Sequence, residues 1–121
     1  MSRKVLIVDD SATVRQQVRL ALSAAGFDVL EALDGIDGLE KIATCSGLRL
    51  VVCDVNMPRM GGLEMLEQCR LRDHAVPVLM LTTEGQPALV QKAKQAGAKG
   101  WIVKPFKTEM LVAAVNKLTA P

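Results

Sequence analysis

The chain has 121 residues, 50% of them apolar and 23% charged, which suits one globular domain with a real core and argues against disorder. Aromatic residues are only 2%, so the core must be aliphatic, and a net charge of +2 is too small to imply nucleic-acid binding without a clustered basic patch. No run approaches the roughly 18 apolar residues of a membrane span, and a strand by Val5 leaves no room for a signal peptide, so a cytoplasmic protein is expected.

In chain order, Val5-Leu6-Ile7-Val8 is a short apolar run that reads as a buried strand and ends in Asp9-Asp10. Ser11 can cap the helix carrying Val14, Val18, Ala21, Leu22 and Ala25, with Gly26 as its stop. Phe27 to Ala32 reads as a strand and Asp34-Gly35 as a turn. Leu39, Ile42 and Ala43 mark a second helix that Ser46-Gly47 ends. A third strand, Leu50 to Cys53, runs into Asp54, and Met57 to Gly62 is a loop. Leu63, Leu66 and Cys69 mark a third helix. Val78 to Leu81 is a strand ending in Thr82-Thr83. Pro87 opens a helix with Leu89, Val90, Ala93 and Ala96 inward and Gly97 as its end. Ile102-Val103 is a fifth strand, closed by Lys104-Pro105. The last helix carries Met110, Leu111, Ala114, Val115 and Leu118 on one stripe.

Five strands alternating with five helices predict an α/β fold, a parallel sheet covered on both faces. Ligands of such sheets sit beyond the carboxyl ends of the strands. Asp9, Asp10, Asp54, Thr82 and Lys104 all fall at such ends. Three acids, a hydroxyl and an ammonium in one place suit a divalent metal and a phosphoryl group. Taken singly, each acid could instead cap the following helix. The three cysteines, Cys45, Cys53 and Cys69, lack metal-ligand spacing and read as small hydrophobes, and His74 reads as a solvated loop residue.

Four motifs in order, Val8-Asp9-Asp10, Asp54-Val55-Asn56-Met57-Pro58, Leu81-Thr82-Thr83-Glu84 and Lys104-Pro105-Phe106, resemble the receiver domains of two-component response regulators over essentially the whole chain. The resemblance is to the single-domain chemotaxis members in particular. It implies a doubly wound, flavodoxin-like sheet in the order 2-1-3-4-5 and one receiver domain over residues 1–121. It further implies that Asp54 is the phosphoacceptor of a histidine kinase or small phosphodonor. Asp9 and Asp10, with Asp54 and the backbone carbonyl of Asn56, are implied to hold Mg2+. Lys104 would pair with the phosphoryl oxygens across a cis Lys104–Pro105 bond. Thr82 would be the switch hydroxyl and Trp101 the switch aromatic. Asn56 and Glu84, of the same types as in the fast-hydrolysing chemotaxis regulator, would make the phosphoryl group short-lived.

Elementary chemistry agrees with these roles. A carboxylate can act as nucleophile and form an acyl phosphate. Clustered carboxylates repel, and a hard cation with oxygen ligands offsets that repulsion. Phosphoryl transfer needs its spreading charge stabilised, which Mg2+ and Lys104 can supply. Two positions depart from the usual pattern: Gly61, which with Gly62 should loosen the loop after Asp54, and Trp101, where a Tyr or Phe is more usual. A haloacid-dehalogenase-type phosphatase would need an acid two residues after its nucleophile, where this chain has Asn56. A flavodoxin-type carrier would need a Ser/Thr-rich cradle in the first loop, and nucleotide-binding glycine motifs are missing. A phosphorelay intermediate or a receiver-like adaptor is the alternative.

The chain closes just beyond its last helix, so the expected output is protein binding. It should proceed through the face of the fourth helix, fifth strand and fifth helix, in a monomer that turns over no substrate other than its own phosphoryl group. Expected partners are a histidine kinase, a phosphorylation-dependent target and a phosphatase, with neither nucleic acid nor membrane. From residue 84 onward six lysines face two acids, a net of +4 against −2 for the preceding 83 residues, so an acidic target is expected.

Overall fold

The computed structural model describes residues 3–83 and 87–120. Ten elements alternate along the chain: β1 (Lys4–Val8), α1 (Ala12–Ala24), β2 (Asp28–Ala32), α2 (Gly35–Thr44), β3 (Leu48–Cys53), α3 (Gly62–Leu71), β4 (Val78–Thr82), α4 (Pro87–Gln95), β5 (Gly100–Val103) and α5 (Thr108–Thr119). The strands form one parallel sheet in the order β2-β1-β3-β4-β5, the order the sequence resemblance implies.

Alternation along the strands sorts the core into two layers. Val5, Ile7, Leu50, Val52, Leu79 and Leu81 pack with Val18 and Leu22 of α1 and Leu111 and Val115 of α5. Leu6, Val8, Val51, Cys53, Val78 and Met80 point the other way, to Leu39 of α2, Met65 of α3 and Ala93 of α4. Apolar side chains on both faces explain why the strands read as continuous runs and not as an apolar–polar alternation. Among the described residues Phe27 is the one fully buried aromatic ring; the remainder of the apolar core is aliphatic or sulfur-bearing.

Helix ends follow local chemistry. Ser11 caps α1 by accepting from the Val14 N–H at 3.3 Å. At its other end Gly26 adopts φ +92°, and the Gly26 and Phe27 N–H groups bond to the Ser23 and Leu22 carbonyls, which satisfies the last turn. Some boundaries differ from the sequence expectation. β3 begins at Leu48 and β5 at Gly100, each two residues early, because pairing with β1 and β4 extends them past their apolar runs. Asp34-Gly35 is not a free turn but the start of α2, with Asp34 as its cap. Met110 is 57% exposed, whereas Leu111 is fully buried. One residue is about a 100° step on a helix, enough to carry Met110 off the inward stripe.

Candidate functional site

Register places the acids side by side. Val8 pairs with Cys53 at the ends of β1 and β3, and the Asp54 N–H donates to the Val8 carbonyl at 2.9 Å, so Asp9 and Asp54 leave adjacent strands together. Asp9, Asp10 and Asp54 can each bring a carboxylate oxygen within 4.8 Å of the others'. Asp9 is fully buried, Asp54 nearly so, and Asp10 is exposed. These three are hard oxygen donors on one edge of the sheet, with Asp10 facing solvent, a set that fits a hydrated divalent cation.

The buried members already have partners. Asp9 Oδ1 accepts from the Ser11 N–H at 2.9 Å, and Asp9 Oδ2 accepts from Lys104 Nζ at 2.9 Å. Lys104 Nζ lies farther from Asp54 Oδ2, at 3.6 Å. Asp54 Oδ1 accepts from the Val55 N–H at 2.8 Å. Burial, and then the negative charge of Asp9, push the Asp54 carboxyl above the usual carboxylate range, while Lys104 opposes them. Lys104 reaches the site from the end of β5, its peptide bond to Pro105 is cis, and its N–H donates to the Thr82 carbonyl at 2.6 Å.

Thr82 is fully buried at the end of β4. It shares a sheet face with Met80, and Met80 is the register partner of Trp101 on β5. Thr82 and Trp101 are therefore diagonal neighbours on the face covered by α3 and α4. The indole is half-buried among Val90, Ala93, Lys94 and Ala98 beside a void of about 70 Å³. Its Nε1 is buried and has no hydrogen-bond partner among the described residues. Asn56 is exposed at the start of the loop after Asp54. Glu84 lies outside the described residues.

That loop is tightly closed. The Gly62 N–H donates to the Val55 carbonyl at 2.8 Å. A Cβ on Gly62 would stand 2.1 Å from the Asp54 carbonyl oxygen, and one on Gly61 would stand 2.7 Å from that of Val55. The Gly61-Gly62 pair is thus there for close approach, and the expected loosening is not seen. Arg15 is a site neighbour that sequence reasoning does not find. Its side chain is 13% exposed, pairs with Glu31 and donates from Nη1 to the Asp9 carbonyl at 2.6 Å. Its position four residues after the Ser11 cap, on the turn nearest the acids, is the signal that could reveal it. Cys53 and Cys69 are buried as expected, and Cys45 is half-buried.

The response regulator receiver domain family matches residues 5–116. Chemotaxis protein CheY1 of Helicobacter pylori is 40% identical over 111 residues, covering 89% of this chain and 90% of the relative. Chemotaxis protein CheY of Bacillus subtilis is 38% identical over 118 residues, covering 97% and 98%. Among solved structures, chemotaxis protein CheY4 of Vibrio cholerae superposes with a TM-score of 0.91 at 40% identity, over 98% of this chain and 99% of that one. The chain belongs to the response regulator receiver domain family, as a phosphorylation-activated signalling switch of the chemotaxis type.

Proposed function

We propose that Asp54 is the residue that receives the phosphoryl group, from a phosphohistidine of a histidine kinase or from a small phosphodonor. The observation that carries the reading is the placement of Asp54: a nearly buried carboxylate at a strand end, beside two further acids and within reach of one ammonium. A carboxylate oxygen of Asp54 attacks phosphorus as the phosphorus–nitrogen bond of the donor breaks, which leaves an acyl phosphate and a neutral imidazole once a proton is taken up. Lys104 is poised for the product. It rests on Asp9 and needs only a short swing to meet the new oxygens beside Asp54. A groove of about 640 Å³, lined by Val14, Leu20 and Phe106, opens beside Thr83 and Lys104 and gives a donor protein room to approach.

Asp10 and Asp54, with the Asn56 carbonyl, would hold Mg2+, and Asp9 would act mainly by fixing Lys104 and the Ser11 N–H. Bound Mg2+ would neutralise the crowded carboxylates and the charge that spreads during transfer. Phosphorylation adds roughly one and a half to two negative charges. Thr82 then turns toward them, and Trp101, whose buried Nε1 has no partner among the described residues, has reason to move into the space vacated. The face formed by α4, β5 and α5 carries that change to an acidic protein target, helped by Lys92 and Lys94. The chain acts as a monomer in the cytoplasm, with a phosphatase among its partners and no nucleic acid or membrane. No helix among the described residues is long and apolar enough to cross a membrane. Its catalysis is confined to its own phosphorylation and dephosphorylation. The chemotaxis relatives do not favour a phosphorelay intermediate or an adaptor.

Radiolabelled acetyl phosphate with Mg2+ tests this reading. The wild-type chain should take up label that alkali removes, in an amount no greater than the protein present. Label retained undiminished by Asp54→Asn would contradict it.

A further inference from the structure

The segment after Asp54 is held at two ends by different parts of the fold. Its near end is closed by the bond from the Gly62 N–H to the Val55 carbonyl. Its far end is bound to the first turn of α2. The Gly35 N–H donates to the Met60 carbonyl at 2.9 Å, and Arg59 Nε donates to Asp34 Oδ2 at 2.7 Å. The two parts touch directly, since a Cβ on Gly35 would stand 2.6 Å from Met60 Cγ.

Asp34 is 4% exposed, and its other oxygen, Oδ1, accepts from the Asp37 N–H at 2.9 Å, which caps α2. One carboxylate therefore serves a helix cap and a guanidinium at once. The hydrogen bond from Arg59, ahead of the cap, holds the Asp34 carboxyl below the usual carboxylate range. Arg59 itself has φ +63°, a left-handed backbone that a residue with a Cβ adopts only when its surroundings impose it. The cap alone would need neither Arg59 nor this conformation. What the pair adds is a fixed distance between α2 and the loop that carries Asn56.

We propose that Arg59, through its ion pair with buried Asp34, is a positioning residue for the phosphoryl site: it holds the loop so that Asn56 stays in place beside Asp54 to complete a divalent-cation site. The inference rests on the reading of Asp10, Asp54 and the Asn56 carbonyl as the cation site, with Asp9 behind them. Charge and position predict opposite signs for its removal. Deleting a positive charge would, if anything, strengthen Mg2+ binding if only the field mattered. Releasing the loop would weaken it.

Titration of the metal-free chain with Mg2+, followed by calorimetry and by Trp101 emission, separates them. Arg59→Ala should weaken Mg2+ affinity by about tenfold, the size common when support behind a ligand is lost. Arg59→Lys, which keeps the charge and one donor, should recover part of that loss. Leu111→Ala, in the opposite core layer, serves as a control for lost stability and should leave the affinity close to wild type. Unchanged or tighter binding in Arg59→Ala overturns the proposal, as does an equal loss in the Leu111→Ala control. Should Arg59→Ala fail to fold, Arg59→Lys carries the test, with binding indistinguishable from wild type counting against the proposal. Absence of Mg2+ binding in the wild-type chain would overturn the cation site itself, a different outcome from any of these.

Discussion

Lys104 Nζ sits 2.9 Å from Asp9 Oδ2 and 3.6 Å from Asp54 Oδ2, so the ammonium of the site leans on the acid that is not the proposed nucleophile. Asp54 is left as the poorly compensated member of the cluster, and burial together with Asp9 raises its carboxyl pKa. A raised carboxyl pKa means that the native state binds more protons than the unfolded chain between the ordinary value of 3.8 and the raised one. Native stability from this group therefore falls as pH rises through that window. In metal-free buffer, Asp54→Asn should be more stable than wild type at neutral pH, by on the order of 1 kcal/mol. The two should converge as pH falls toward the ordinary carboxyl range. Urea midpoints at several pH values check this, and a wild type more stable than the variant at pH 7 without metal would contradict it. Asp34 works in the opposite sense: its lowered pKa gives stability that is present above 3.8 and lost as pH falls through the lower native value.

Mg2+ binding should depend most on Asp10, the one exposed acid of the cluster. Asp10→Ala should weaken binding at least about tenfold in calorimetry. Binding should also weaken as pH falls through the raised pKa of Asp54, since protons compete for the same oxygens. An Asp10→Ala variant with wild-type affinity would remove Asp10 from the cation site.

Gly62 is fixed by contact and not by dihedral angle. Its added Cβ would meet the Asp54 carbonyl oxygen at 2.1 Å and Met80 Cε at 2.8 Å. Backbone cannot yield as a side-chain tip can, so Gly62→Ala should cost about 2 kcal/mol or more in urea unfolding. A variant within a few tenths of a kcal/mol of wild type would show that the loop after Asp54 is looser than described.

Trp101 is the sole tryptophan, so its emission reports one place. Beryllofluoride with Mg2+, a stand-in for the phosphoryl group, should change its intensity or its quenching by solutes. Thr82→Ala should abolish most of that change, because Thr82 lies diagonally from Trp101 on the same sheet face. The same response in both proteins would break the link from Thr82 to Trp101.

Much of the architecture is legible in the chain because a doubly covered sheet turns each strand into an apolar run, and the residues just past such a run land at the functional edge. Asp9, Asp54, Thr82 and Lys104 are visible in that way, and the acids do converge. Features that depend on side chains meeting across long separations are not legible. An Asp-Gly pair suits a turn as well as a helix start, so Asp34 reads as a turn residue although it caps α2. Its partner Arg59 is 25 residues away, and no periodicity links them. Arg15 is hidden among the polar residues of α1, since a buried tip and an exposed one look alike in sequence. Met110 stands one step of the helix from the inward stripe, and an apolar residue beside a stripe looks much like one on it.

The most direct test is to locate the phosphoryl group itself. After treatment with acetyl phosphate and Mg2+, borohydride reduction converts an aspartyl phosphate to homoserine, and peptide mass spectrometry reads the position. Conversion is expected at position 54 and at no other acid, with none in chains lacking Mg2+ or carrying Asp54→Ala. Conversion at Asp9 or Asp10 in the wild-type chain, or an unmodified Asp54 in chains that have taken up the phosphoryl group, would contradict the assignment of Asp54 as phosphoacceptor.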